Sequence, residues 1–195
     1  MKSKTTTRSN IYLAVAAMIL TAVLAVPAYA EEKPVKMTFS GTNVATTINL
    51  QANTITDETH LAGSGSLGQF TFRELHADGK APQPPSGCLG PYFGVLVGAG
   101  VFRFQDGSLL IVTVMDGSGC INPAAGHAAI TVNYQIRGGT GRFAGASGNL
   151  TMTATIAAVL RNASNAPALL TNTGEFEGTI FETALEEEDH QDERQ

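Results

Sequence analysis

Two ionisable side chains, Glu74 and His76, stand two positions apart in an alternating segment of the chain. They continue the spacing of Phe70 and Phe72, so in a β-strand all four side chains would share one face. A carboxylate and an imidazole about 7 Å apart on a strand could bind a ligand or exchange a proton with it. The sequence favours the other interpretation, in which the strand has left the sheet at this point and both groups are solvated.

Other ionisable residues give weaker indications of chemistry. Glu175 and Glu177 share a strand face and could form a paired-carboxylate site, although an outward acidic stripe is the simpler interpretation. His60 and His127 lie beside turns and His190 lies near the C-terminus, where solvated histidines are expected. No cluster of histidine, cysteine and carboxylate residues has the spacing of metal ligands. We therefore predict no metal.

The motifs of nucleophilic and nucleotide chemistry are absent from the sequence. It has no Gly-x-Ser-x-Gly elbow followed by a helix pattern. It also has no glycine-rich loop ending in Lys-Ser or Lys-Thr. The net charge is −5 and no cluster of lysine and arginine is visible, whereas binding to a phosphate backbone depends on such clusters. We predict no cofactor and no nucleic-acid partner.

The elements that must position these residues are β-strands. After residue 30, apolar and polar residues alternate with a period of two, and helical periodicity is nearly absent. Turn signals such as Asp106-Gly107 separate the alternating segments. The pattern predicts strands at 35–41, 44–51, 58–65, 68–76, 97–104, 109–115, 128–137, 148–159 and 174–182, of which one early pair could be a single bent strand.

So many antiparallel strands favour an all-β fold that closes into a single eight-stranded barrel, with a two-sheet sandwich as the alternative. The alternation places aromatic residues on the interior face as candidate ligand contacts, together with the Glu74 and His76 pair if the strand stays in the sheet as far as these residues. An interior with open volume and a polar floor would favour binding or catalysis, and one filled by rings would favour a structural role. The predicted aromatic contacts are Phe70, Phe72, Phe102, Phe104 and Tyr134.

A glycine-rich stretch at 138–148 lies between two alternating segments and predicts a tight corner between strands. Within it, Arg142 is predicted to fasten the corner through backbone carbonyls and an acidic partner, with ligand contact as the alternative. Phe143 is predicted to plug the end of the barrel.

Three stretches of the chain resemble the allene oxide cyclase-like barrel proteins, which are relatives of plant allene oxide cyclases and dirigent proteins. Residues 134–150, around the glycine corner, resemble the signature of this family. Residues 63–71 resemble its earlier glycine-rich strand pair, and residues 174–180 resemble its closing strand. The resemblance implies a calycin-like barrel with an apolar interior over residues 35–182. Plant members act on oxidised fatty acids or lignan radicals, but no catalytic residue can be carried over to this chain.

The N-terminus has the pattern of an export signal. Lys2, Lys4 and Arg8 precede an apolar run at 11–26, and an Ala-Tyr-Ala cleavage site ends at Ala30. We predict that residues 1–30 are a cleaved signal peptide, the alternative being an uncleaved membrane anchor. The mature protein is then secreted or periplasmic and has no membrane-spanning segment.

The remaining chain is predicted to be one barrel domain at 31–185, followed by a disordered acidic tail at 186–195. Its two cysteines, Cys88 and Cys120, lie in loop-like segments rich in glycine, proline and serine. An even number of cysteines in an exported protein predicts a disulfide. A catalytic or metal-binding cysteine is the alternative.

These observations predict an exported, non-catalytic barrel protein that binds a small apolar ligand or a partner protein. A cyclase- or isomerase-like enzyme acting on an oxidised lipid or phenolic is one alternative, because such chemistry depends mainly on shape and excluded water. A structural or surface-associated protein is another. Assembly into a homo-oligomer stays open.

Overall fold

The structure is a computed structural model that describes residues 31–182. The predicted signal peptide and the acidic tail lie outside the described residues. Between them the chain forms eight strands and one short 3-10 helix: β1 (Glu31–Ala45), β2 (Ile55–Gly65), β3 (Gly68–Gly79), β4 (Tyr92–Phe104), β5 (Leu109–Asn122), β6 (His127–Gly139), the 3-10 helix (Gly141–Phe143), β7 (Ser147–Arg161) and β8 (Pro167–Glu182). No helix within 31–182 is long and apolar enough to cross a membrane.

The strands close into a barrel. Each strand pairs antiparallel with the next one in the chain, and β8 pairs with β1 to complete the circle. The closing pair runs from Glu31 opposite Glu182 to Asn43 opposite Leu170. The predicted all-β, eight-stranded antiparallel barrel is confirmed, and the sandwich alternative is wrong.

The predicted strand at 44–51 is wrong. Strand β1 ends at Ala45, and residues 46–54 form a loop that folds back over the start of β2. The loop is held by Thr56, whose backbone oxygen accepts a hydrogen bond from Thr46 N at 2.8 Å and whose Oγ1 accepts one from Leu50 N at 3.2 Å. These contacts satisfy backbone groups that a strand would have paired, and the apolar residues Ile48 and Leu50 of the loop stay 49% and 42% exposed.

Strand β5 is longer than predicted. The predicted strand ended at residue 115, but β5 continues with bulges to Asn122. Gly117 and Gly119 are turn-type residues, yet here their missing side chains make room for neighbours on the inner face. A Cβ on Gly119 would overlap the ring of Phe93, which lies directly opposite it on β4. The prediction failed because tertiary packing, rather than local preference, places these glycines.

One half of the barrel interior is filled by aromatic rings. Phe176 on β8 lies at the centre of this plug, which we define as the rings of Phe39, Phe70, Phe72, Phe102, Phe104, Phe143 and Phe176. Neighbouring ring centroids lie 4.4 to 6.3 Å apart, mostly in tilted or edge-to-face arrangements. Such contacts add to the stabilisation from apolar burial. The plug closes the end of the barrel that contains the glycine corner.

Arg142 ties the glycine corner to two neighbouring turns. Its Nη2 donates a hydrogen bond to the backbone oxygen of Leu67 at 2.5 Å, and its Nε lies 3.3 Å from Asp106 Oδ2. The guanidinium carbon lies 4.9 Å from the ring centroid of Phe104 and 4.6 Å from that of Phe143. Arg142 therefore contacts a backbone carbonyl and an acidic partner, and it also covers the outer surface of the plug.

Cys88 and Cys120 form a disulfide, with Cα atoms 5.6 Å apart, as predicted. It joins the β3–β4 loop to β5 at the end of the barrel opposite the glycine corner. Next to it, Ile121 N donates a hydrogen bond to Pro91 O at 2.8 Å. The disulfide thus anchors the longest loop at the open end of the barrel.

Replacing Cys88 with serine is expected to lower the free energy of unfolding by about 3–4 kcal/mol, because the unfolded chain loses a cross-link between residues 32 positions apart. Chemical denaturation of the two proteins under oxidising conditions measures the difference. The parent treated with reductant should have the same free energy of unfolding as Cys88→Ser. Reductant should not change the free energy of unfolding of the variant. An unchanged unfolding midpoint in the variant would contradict the prediction.

Candidate ligand-binding site

The end of the barrel opposite the plug opens into a cavity of about 940 Å³. We call this space the mouth cavity. Its volume lies within the range of small-molecule sites, roughly 300–1,000 Å³. The loops β1–β2, β5–β6 and β7–β8 form its rim. Most of its wall is apolar and includes Phe93, Ile121, Ala128, Ile156, Ala158 and Leu170.

A layer of polar side chains crosses the barrel between the plug and the mouth cavity. We call it the polar belt, and it consists of Asn43, Thr59, Glu74, His76 and Asn172, all buried. The strand register brings its members together, since Thr59 lies opposite both Asn43 on β1 and Glu74 on β3. Asn172 Nδ2 donates a hydrogen bond to Asn43 Oδ1 at 3.0 Å.

Glu74 and His76 are inside the barrel, so the interpretation that they are solvated is wrong. Their residues are only 3% and 4% exposed, because β3 continues in the sheet as far as Gly79. Tyr134 donates a hydrogen bond from its hydroxyl group to Glu74 Oε2 at 3.1 Å. His76 Nδ1 lies 3.4 Å from the same oxygen. The three side chains form a row that leads from the plug towards the mouth.

Two aspartates that the sequence analysis did not single out extend this row into the mouth cavity. His76 Nε2 lies 3.7 Å from Asp78 Oδ1, and Asp57 stands opposite His76 on β2. Both aspartates line the cavity. The period of two that linked Glu74 with His76 also extends to Asp78. That signal was missed because the predicted strand ended at residue 76.

Burial and mutual charge shift the ionisation of these groups. Burial disfavours the charged form of His76, but the attraction of Glu74 outweighs it, aided by Asp78 and Asp57, and raises the pKa to about 9. Desolvation raises the pKa of Asp78 to about 7 against the opposing effect of His76. Desolvation also raises the pKa of Asp57, and together with the charge of Glu74 it raises that of Tyr134 well above its usual value.

Several buried polar atoms in this region lack a hydrogen-bond partner. Within residues 31–182 the unpartnered, buried side-chain atoms are Thr59 Oγ1, Glu74 Oε1, His76 Nδ1, Asp78 Oδ1 and Asn172 Oδ1. All of them belong to the polar belt or to the floor of the mouth cavity. An unpartnered buried polar group costs about 1–3 kcal/mol, so folded proteins rarely contain a group of them. Their concentration here marks the region as one that can bind a polar group.

The predicted ligand contacts separate into two groups in the structure. Phe70, Phe72, Phe102 and Phe104 pack in the plug and do not line the mouth cavity. Tyr134 reaches the polar belt through its hydroxyl group. The interior is therefore neither wholly filled nor wholly open, because each of the two alternatives applies to one half of the barrel.

The remaining acidic and histidine residues with described positions lie away from the cavity floor. Glu175 and Glu177 are on the outer face of β8, where Lys36 Nζ lies 3.5 and 2.5 Å from their carboxylates. His60 Nε2, also on the outside, lies 2.8 Å from Glu58 Oε1. His127 is at the rim of the mouth cavity.

A second depression, of about 640 Å³, lies on the outer surface of β3 and β4. Leu75, Val97 and Val101 contribute its apolar surface, and Arg73 and Glu58 lie beside it. Glu74, whose side chain lies inside the barrel, is also among the residues that line this depression. Assembly into a homo-oligomer stays a prediction.

No protein-family model matches this chain, and no curated protein or solved structure matches it. The resemblance to allene oxide cyclase-like proteins therefore depends on the three sequence stretches alone.

Proposed function

We propose that this protein binds a small, mainly apolar molecule with a polar head group in the open half of its barrel. One observation carries the proposal: an apolar cavity of about 940 Å³ lies against a buried belt of unpartnered polar atoms. Small-molecule sites commonly combine an apolar wall with a few convergent polar groups. Asp57 and Asp78 line the cavity, and Asp78 Oδ1 lies 3.7 Å from His76 Nε2 in the belt.

The arrangement would orient the ligand in the cavity. Phe93, Ile156 and Leu170 can pack against an apolar body, while Asp57 and Asp78 lie where a head group would reach the floor. Carboxylates accept hydrogen bonds and attract positive charge. A head group that donates hydrogen bonds, such as an alcohol, a phenol or an amine, therefore fits this floor better than a carboxylate.

The proposal places the protein outside the cytoplasm, in the periplasm or secreted. Its support is the export-signal pattern at residues 1–30 together with the disulfide between Cys88 and Cys120. Disulfides persist mainly in oxidising compartments. A barrel related to the allene oxide cyclase-like proteins, which the sequence resembles, would fit this role.

A cyclase- or isomerase-like reaction on an oxidised lipid or phenolic is a second candidate. It is favoured by the row of Tyr134, Glu74 and His76 inside the barrel. A carboxylate and an imidazole that face a ligand in a water-poor space can act as acid and base. In that case the parent turns over its ligand, and Glu74→Gln should lose turnover while it keeps ligand binding; a parent that binds its ligand without turnover would leave binding as the function.

The binding proposal is tested by native mass spectrometry and calorimetry. Protein purified from its own compartment is expected to carry a co-purifying small molecule. Medium-chain compounds that share one alkyl tail but carry alcohol, amine or carboxylate heads should bind to the emptied protein, with the alcohol and amine at least ten-fold tighter than the carboxylate. Repeated isolation of empty protein, with no binding across the set, would contradict the proposal.

A further inference from the structure

We propose that Asp57, His76 and Asp78 form a binding site for a divalent transition-metal ion of the zinc class at the floor of the mouth cavity. The sequence predicted no metal, because the three residues do not have the spacing of a known ligand motif. Barrel formation brings them together across two strands.

The geometry places three donor atoms around one point. Each residue offers one ligand atom, and these atoms all lie within 4.8 Å of one another. Donors bound to one zinc-class ion at about 2.0–2.2 Å lie at most roughly twice that distance apart, so small side-chain rotations complete the site. The backbone is already fixed, since Asp57 and His76 are opposite each other in the β2–β3 ladder and Asp78 follows on the same strand.

The charge of the region favours a cation. Three carboxylates, from Asp57, Glu74 and Asp78, surround the single imidazole of His76. Arg161 also lines the cavity, but it is exposed and donates a hydrogen bond from Nη1 to the backbone oxygen of Asn165 at 2.9 Å. Buried charges in proteins are normally paired or bound to metals, and a divalent ion would balance this excess.

The surroundings of His76 are those of a metal-binding histidine. Its side chain is only 5% exposed. Nδ1 faces Glu74 Oε2 at 3.4 Å, and Glu74 in turn accepts the hydrogen bond of Tyr134, which leaves Nε2 directed towards Asp78. Metal-bound histidines usually have a carboxylate or carbonyl at their second nitrogen in this way.

An unpartnered atom supplies an independent indication. Asp78 Oδ1 is buried without a hydrogen-bond partner. An ion at this point would bind the aspartate oxygen directly. It would also hold the imidazole ring in the orientation in which Nδ1 faces Glu74, and it would displace the proton from Nε2.

The donor set indicates the class of ion. One imidazole nitrogen and two carboxylate oxygens suit Zn²⁺, Co²⁺ or Mn²⁺, whereas Ca²⁺ prefers six to eight oxygen ligands. Three protein ligands leave at least one coordination position open towards the mouth cavity. The site goes beyond the proposed function and does not depend on it, because three side chains bind the ion whether or not an apolar ligand is present.

The test is a titration of the full protein, stripped with chelator and free of organic ligand, with Zn²⁺ and with Co²⁺. One equivalent is expected to bind, and bound Co²⁺ should give the intense visible absorption of a site with few ligands. Affinity should fall at least ten-fold in His76→Gln and in Asp57→Asn. The matched control is His60→Gln, which removes an exposed histidine beside Glu58 and should bind like the parent.

Circular dichroism of each variant shows whether it is folded. If His76→Gln does not fold, Asp57→Asn decides the question, since Asp57 is only partly buried at the cavity floor. The proposal is overturned if the parent binds neither Zn²⁺ nor Co²⁺. It is overturned as well if His76→Gln and Asp57→Asn, when folded, bind the ion as tightly as the parent. It is also overturned if His60→Gln alone loses the ion. Apolar ligands are measured separately in chelator, so failure of one proposal is distinguishable from failure of the other.

Discussion

Phe176→Ala is expected to lower the free energy of unfolding by about 3–5 kcal/mol. Phe176 has no solvent exposure, and its ring centroid lies 4.9 to 6.2 Å from those of Phe39, Phe70, Phe72, Phe102 and Tyr134. Truncation leaves a cavity that the closed sheet cannot fill, because each strand is held by a neighbour on both sides. Chemical denaturation followed by circular dichroism measures the change.

The control for this prediction is Val159→Ala on β7. Val159 is 61% exposed, so its truncation should change the free energy of unfolding by no more than about 0.5 kcal/mol. The loss at Phe176 is large beside the total stability of a typical domain, about 5–15 kcal/mol. Phe176→Leu, with a smaller expected loss, therefore provides a measurable variant if alanine prevents folding. A change below about 1 kcal/mol in both variants would contradict the packed plug.

The strands could be predicted where alternation continues without interruption. Strands β6 and β7 are the best example, because inward residues such as Tyr134 and Leu150 face each other in the register that the period of two implies. Alternation is a local property of the chain, since successive side chains of a strand point to opposite faces. Closure into a barrel followed from the number of strands and from the need to protect their edges.

The floor of the candidate site could not be predicted in the same way. Asp57 and Asp78 lie near strand ends, where turn-type residues interrupt the alternation. The burial of Glu74 and His76 depends on how far β3 extends and on residues from β1, β2 and β8 that complete the polar belt. These contacts are set by the register of distant strands, which no short stretch of sequence records.

The two halves of the barrel have different physical roles. The aromatic plug, fastened by Arg142 at the glycine corner, supplies apolar burial and closes one end. The other half contains unpartnered polar atoms and an open cavity, both of which reduce the stability of the empty protein. A rigid plug can hold the strands in register while the mouth half keeps its side chains available for a ligand.

Ala158→Phe is expected to weaken ligand binding at least ten-fold, a change of about 1.4 kcal/mol in the free energy of binding. Ala158 on β7 lines the mouth cavity opposite Leu170, and it is only partly buried, so a phenyl ring can occupy the cavity without displacing the core. The ring would take the space that the apolar body of the ligand needs. Calorimetry with the tightest medium-chain compound measures the effect.

The matched control is Ala157→Phe, one position earlier on the same strand. Its side chain belongs to the outer face, opposite the exposed Thr171, so the same substitution adds a ring outside the barrel and should leave the affinity unchanged. Both variants should unfold within about 1 kcal/mol of the parent, since neither forces a ring into the plug. Equal affinities for the two variants would place the ligand outside the mouth cavity, and a loss confined to Ala158→Phe would place it inside.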